Sequence, residues 1–174
     1  MKKYLILLLI LLLAGTYIIN NSRNTVRLAG THLSFETADI EGNPVSSEEL
    51  FSRHAITMLN IWATWCGPCV SELPELTKVN EELAKMDGAV VGLLNDGPGQ
   101  TNVEAGRQIL AENNIRYLNI LSTEAIDAVL KPQAYPMTIF VNREGIIIGE
   151  TLLGTTFQDK IVAYYTEAAA RALK

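Results

Sequence analysis

The chain has 174 residues, 48% hydrophobic and 19% charged, with a formal net charge of −5. That composition supplies a sizeable core and excludes a disordered chain. The acidity, with no basic stripe to offset it, excludes nucleic acid as a partner.

Lys2 and Lys3 precede an apolar run from Tyr4 to Ile19 that stops at Asn20-Asn21-Ser22-Arg23. Two readings compete, an uncleaved signal anchor and a cleaved signal peptide. The run is a little short for a span of ~20 residues. Yet Ala14-Gly15-Thr16 is a poor cleavage site, because bulky Tyr17-Ile18-Ile19 follows it, and no cysteine stands there for acylation. The anchor is favoured. A buried helix of a soluble protein is the third reading; leucine and isoleucine on every face weigh against it. Lys2 and Lys3 favour the inside for the amino terminus, although Arg23 and Arg27 weaken that bias. The expected organisation is an anchor over residues 1–20, a polar linker over 21–32, and one domain over 33–174 placed outside the cytoplasm; a secreted or periplasmic product of cleavage is the alternative.

Ser34 to Ala38 alternates as a strand does, and Glu41-Gly42-Asn43-Pro44 is a turn. Ser46 with Glu49 forms a capping-box pattern before a short helix. Ile56 to Trp62 is an apolar run broken only by Asn60 and reads as a buried central strand. Cys66 to Met86 has helical spacing, with Leu73, Leu76, Val79 and Leu83 on one face and a kink expected at Pro74. Ala89 to Leu94 is a second buried strand, and Asn95 to Gly99 a loop. Thr101, with Glu104 at the reciprocal position, is expected to cap a helix running to Asn113. Tyr117 to Leu121 reads as a strand and Thr123 to Leu130 as a helix. Met137 to Val141 and Gly145 to Glu150 form a hairpin around Asn142-Arg143-Glu144-Gly145. The last helix spans Thr156 to Leu173, with Phe157, Ile161, Tyr164 and Tyr165 expected in the core. Strands alternating with helices imply an α/β sheet, and the late hairpin makes it mixed.

Only two cysteines occur, Cys66 and Cys69, and none is left for a structural bridge. A large core needs none. The pair sits between a buried strand and a helix. At a helix start, Cys66 faces unpaired backbone N–H groups and the positive end of the dipole, so its thiolate is favoured. Cys69 lies one turn deeper and can resolve a mixed disulfide at Cys66. Pro68 in the first turn costs little, since the N–H it lacks has no helical partner. Zinc ligation would need more ligands than His32 and His54 supply at useful spacing, and haem attachment would need a histidine where Val70 stands. No metal and no separate cofactor is expected; the redox group is the Cys66–Cys69 disulfide itself.

Trp65-Cys66-Gly67-Pro68-Cys69 after a buried strand, Pro74 five residues on, and Tyr135-Pro136 before an apolar strand resemble thioredoxin. Within that superfamily the chain resembles the TlpA/ResA-like membrane-anchored thiol-disulfide oxidoreductases. The anchor, Asn60-Ile61-Trp62, Cys69-x-x-Glu72-x-Pro74, and an extra helix and strand between Thr101 and Leu121 carry that likeness. The resemblance implies a thioredoxin-like α/β fold with a mixed central sheet and a helix-strand insertion. It implies reduction of disulfides in extracytoplasmic proteins, apocytochromes c among them, with electrons from a membrane thiol carrier. It implies a cis Pro136 that presents the Tyr135 backbone to substrate, against the plain alternative of a trans proline starting a strand. Trp65, Gly67 and Pro68 would join Tyr135 and Pro136 on the substrate face, with Trp62 in the core. Asn60 stands where thioredoxins carry a buried aspartate that helps move a proton. Glu72, at i+3 from Cys69, is the candidate substitute; a solvated surface glutamate is the other reading. Alternative functions are electron supply to a peroxide or methionine-sulfoxide reductase, a disulfide-introducing oxidase, or non-catalytic metal delivery. A peroxidase would want a Pro-x-x-x-Thr-x-x-Cys arrangement that the sequence around Cys66 lacks.

Overall fold

The computed structural model describes residues 28–97 and 101–174. The expected anchor and residues 21–27 of the expected linker lie outside the described residues. Among the described residues no helix is long and apolar enough to cross a membrane.

The central sheet has the order β5 (Asn119–Leu121), β4 (Gly88–Leu94), β3 (Ile56–Trp62), β6 (Met137–Asn142), β7 (Ile147–Leu153). Its middle strand, β3 (Ile56–Trp62), is buried along its whole length. It runs parallel to β4 (Gly88–Leu94) and antiparallel to β6 (Met137–Asn142). A strand covered on both faces reads as a continuous apolar run, which is why β3 was legible. β4 pairs in parallel with β5 (Asn119–Leu121), and β6 pairs antiparallel with β7 (Ile147–Leu153) around a turn closed by Gly145 at φ 73°. The sheet is mixed, as expected.

Side chains alternate across β3. Met58 and Trp62 face α2 (Gly67–Ala84) and α5 (Ile161–Ala172), packing with Leu73, Leu76, Val79, Phe140 and Tyr165. Leu59 and Ile61 face the other layer, with Phe51, Ile126, Leu130 and Ile139, beneath α1 (Ser47–Ser52) and α4 (Glu124–Leu130). Asn60 therefore shares the face of Met58 and Trp62 and is fully buried there. α2 buries Cys69, Glu72, Leu73, Leu76, Val79 and Leu83 and continues through Pro74.

Several local expectations are corrected. Pro44, read as part of a turn, opens a short strand, β2 (Pro44–Ser46), paired with β1 (Glu36–Ala38). The capping box at Ser46 does not form: its side chain makes no cap bond, because Ser46 is held in β2 opposite Glu36. Ser47 Oγ instead accepts the Phe35 N–H at 2.9 Å. α3 (Val103–Glu112) is capped by Asn102, whose side chain accepts the Ala105 N–H at 3.1 Å, in place of Thr101. Glu104 turns outward to Arg107. The last helix starts at Ile161 after a 3₁₀ turn, Gln158–Lys160. Phe157, expected in the core, precedes that turn in extended backbone and is 77% exposed, with the Lys160 ammonium over its ring. Tyr165 is fully buried and Tyr164 packs at the edge of the same cluster. Leu28 to Thr31, within the expected linker, lie on the sheet: Leu28 is buried, Gly30 N–H donates to Ile147, and Ile147 N–H donates to Thr31.

Candidate active site

β3 ends at Trp62, and after four intervening residues the chain enters α2 at Gly67. Cys66 is the N-cap of that helix, with extended backbone, and its Sγ accepts the Cys69 N–H at 3.2 Å. Cys66 and Cys69 form a disulfide. Cys66 is 5% exposed and Cys69 has no exposed surface, so approach is from the Cys66 side. Gly67 and Pro68, in the first helical turn, are exposed beside it. The helix has 18 residues, so its full N-terminal partial charge acts on Cys66.

Trp65, next to Cys66 in the chain, is 63% exposed. Its indole N–H donates to the Asp96 carbonyl at 3.0 Å, and its ring meets Tyr135 edge to face at 5.2 Å. The Asp96 carboxylate accepts from Thr64 N–H at 2.7 Å, from the Thr64 hydroxyl at 2.8 Å and from Asn102 N–H at 2.6 Å. One residue thereby fixes the segment before the nucleophile, the tryptophan and the start of α3. Trp62 is core, as expected, with its indole N–H on Asn119 Oδ1 at 3.0 Å.

The Tyr135–Pro136 bond is cis. Pro136 is buried, and its carbonyl accepts the Gly154 N–H at 2.7 Å. The Tyr135 hydroxyl donates to Asn95 Oδ1 at 3.1 Å, and Asn95 Nδ2 donates onward to Asp127 and Ser122. Burial, helped by the Asp127 and Asp96 charges, keeps the Tyr135 phenol above its ordinary range.

Glu72 is 1% exposed, which rules out the solvated-surface reading. Asn60 Nδ2 donates to its Oε1 at 2.9 Å, and the Tyr165 hydroxyl lies 3.2 Å from Oε2 and 3.4 Å from Oε1. Burial pushes the Glu72 carboxyl above the usual carboxylate range; hydrogen bonds from Thr155, Asn60 and Tyr165 pull it partly back. Tyr165 and Tyr117 are both pushed up, first by burial and then by the Glu72 charge.

The sequence expectations thus meet in one place: Trp65, Cys66, Gly67, Pro68 and Cys69 at the head of α2, Tyr135 and Pro136 before β6, and Glu72 one turn below Cys69. Asn95, Asp96, Thr138 and Tyr165 were not foreseen as site residues. Tyr165 gave only a core signal and Asn95-Asp96 only a turn signal; Thr138 gave none. Among the described residues no cluster of three His, Cys, Asp or Glu side chains is placed to hold a metal.

The AhpC/TSA family model matches residues 30–149. The thioredoxin-like protein YneN of Bacillus subtilis is 28% identical over 90 residues, and the chain spans about half of its length, 52% of each. The thiol-disulfide oxidoreductase ResA of Bacillus subtilis is 24% identical over 164 residues, 91% of this chain and 87% of ResA. Among solved structures, a thioredoxin-family thiol:disulfide interchange protein from Chlorobium tepidum superposes with a TM-score of 0.67 at 21% identity, covering 86% of this chain and 99% of that one. The fold is thioredoxin-like, the named homologues are ResA-like thiol-disulfide oxidoreductases, and the chain belongs to the AhpC/TSA family.

Proposed function

We propose that this chain is a thiol-disulfide oxidoreductase that reduces disulfides in proteins outside the cytoplasm, held at the membrane by its leader and re-reduced by a membrane thiol carrier. The observation that carries the reading is a Cys66–Cys69 pair at the N-terminus of α2 with a buried carboxyl, Glu72, behind it. In the reduced protein the Cys66 thiolate attacks one sulfur of the substrate disulfide and expels the other as a thiolate. The Cys69 thiol gives its proton to the ionised Glu72 carboxylate, attacks Cys66 Sγ and releases the second substrate thiolate. Two electrons pass to the substrate, and the Cys66–Cys69 disulfide is left for the carrier to reduce. Gly67 and Pro68 beside Cys66, Trp65 before it, and the backbone of Tyr135 before cis Pro136 form the face that receives an extended substrate segment. Apocytochromes awaiting haem are the substrate class that the ResA-like resemblance favours.

The test uses the full chain in detergent micelles. It should accelerate insulin reduction by dithiothreitol, and its dithiol should equilibrate near the reducing thioredoxins, at about −270 mV. Cys69→Ser should trap the mixed disulfide on Cys66. A potential near about −120 mV would make the protein an oxidant, and the reductase reading would fall. Protease protection of the domain in spheroplasts or protoplasts, bounded only by the cytoplasmic membrane, would remove the extracytoplasmic placement.

A further inference from the structure

One neighbour of the Glu72 carboxyl suits only one of its two charge states. The Tyr165 hydroxyl can donate or accept, but Asn60 Nδ2, on Oε1, only donates. A carboxylate accepts from it; a carboxylic acid with its proton on Oε1 needs an acceptor there instead. That acceptor exists at the other end of the same amide. Asn60 Oδ1 is buried and has no hydrogen-bond partner, while Nδ2 serves both Glu72 Oε1 at 2.9 Å and Thr138 Oγ1 at 3.1 Å. The amide is planar and its two ends are nearly equal in size, so a half-turn about Cβ–Cγ exchanges them in place.

We propose that the Asn60 side chain turns over with each change in the charge of Glu72, offering Nδ2 to the carboxylate and Oδ1 to the acid. Thr138 follows by rotating its hydroxyl: it accepts from Nδ2 in one state and donates to Oδ1 in the other. One end of the amide is unpaired in either orientation, so the amide makes two hydrogen bonds before and after the turn, while the Thr138 hydroxyl gives up its bond to Tyr165 as it swings to Oδ1. The groups facing Glu72 from the surrounding elements are Asn60 on β3, Thr138 on β6, Tyr165 on α5 with Tyr164 beside it, Tyr117 before β5 and Thr155 after β7. Cys69 is the titratable group on its own helix. An aspartate in place of Asn60 would put two carboxyls on one proton and split the titration. Asparagine keeps a single titrating proton here and serves both of its states. Asn60 is in this sense a positioning residue, acting through Glu72.

The inference rests on Glu72 as the proton acceptor of the resolving step. It is tested on the reduced full chain in detergent micelles, with labelled glutamate and asparagine. The Glu72 carboxyl carbon, assigned by its loss in Glu72→Gln, is followed by NMR against pH together with the Asn60 side-chain NH₂ group. The expected result is that the NH₂ contacts to Thr138 seen at high pH are lost on the acid side, with the midpoint of the Glu72 titration. A titrating Glu72 beside an amide with unchanged contacts overturns the turning of Asn60 and leaves the proton role standing. A Glu72 that keeps one charge state throughout overturns both. Asn60→Asp should replace one titration step by two coupled ones and move the pH midpoint of Cys66 alkylation up by about one unit; an unmoved single step counts against the inference.

Discussion

In the proposed mechanism Glu72 carries the chemistry that Asn60 cannot. Cys69 has no exposed surface, so when it becomes a thiolate its proton needs a nearby acceptor. A carboxyl raised by burial has a basicity closer to that of a thiolate than a solvated one does, which favours transfer near neutral pH. Glu72→Gln preserves size and hydrogen bonding but removes the titration. Folding should survive, and resolution of the mixed disulfide should slow ~10- to 100-fold, the low end of what a general base supplies. Single-turnover quench with a disulfide peptide measures that step directly. An unchanged rate would assign the proton to water. The other residue that bears on the sulfurs is Asp96, whose backbone and side chain together hold Trp65 and Thr64; it arranges the entrance and is too far along the chain from the motif to be guessed from spacing.

At the scale of elements, β4 shows why a glycine lies inside a central strand. Gly92 stands opposite Asn60 on β3 and Asn119 on β5. The Trp62 indole reaches from β3 to the Asn119 carboxamide, and a Cβ on Gly92 would run into that carboxamide and stand 3.2 Å from the indole nitrogen. Strand glycines of this kind mark close approach by a neighbour. Gly92→Ala should therefore lower unfolding stability in urea by about 2 kcal/mol, through overpacking and loss of the Trp62 bond; a midpoint unmoved from the parent would show that Asn119 swings clear at little cost. This bridge was not legible in the sequence, because its three members come from three strands and each looks like ordinary strand filling. What was legible depended on short-range pattern: the apolar run of β3, the helical spacing of α2, the Cys-Gly-Pro-Cys motif and Tyr135-Pro136. Competing local signals misled where a tertiary bond decided the outcome. Ser46 had the look of a cap but is held by β1, and Phe157 had helical spacing but precedes the helix. Glu72 was ambiguous for the same reason: its spacing gave the face of α2, while its burial depends on α5 supplying Tyr165 and β6 supplying Thr138 against Asn60.

The whole molecule is stabilised or weakened by pH through the same buried carboxyl. A group whose folded-state pKa is raised binds its proton more tightly in the native state than in the unfolded chain. Between the two pKa values the native state holds the extra proton, so stability falls as pH rises. The contribution of Glu72 is thus fully present below the ordinary value of 4.5 and is lost as pH climbs through its raised folded value. The raised phenols of Tyr117 and Tyr165 follow the same sign, but their loss begins only above the ordinary value of 10.0. Asp39 has the opposite sign: its carboxyl, held down by bonds from Asn43 and Glu41 that outweigh its burial, gives up stability only as pH falls below 3.8. The interval from weakly acid to mildly alkaline pH is therefore the one in which Glu72 speaks, and the oxidised protein suits the measurement because its cysteines do not titrate there. Urea unfolding of the oxidised full chain in micelles, repeated across that interval, should show stability declining with pH at no more than ~1.4 kcal/mol per unit from this one group, then levelling. Glu72→Gln should remove that decline, so the difference between the two curves widens with pH and then holds constant. Parallel curves would mean that Glu72 titrates in the folded protein as it does in the unfolded chain, so that its carboxyl is no better a base than a solvated one; a difference that widens without levelling would mean that it holds its proton throughout, and a carboxyl that never ionises cannot receive the Cys69 proton.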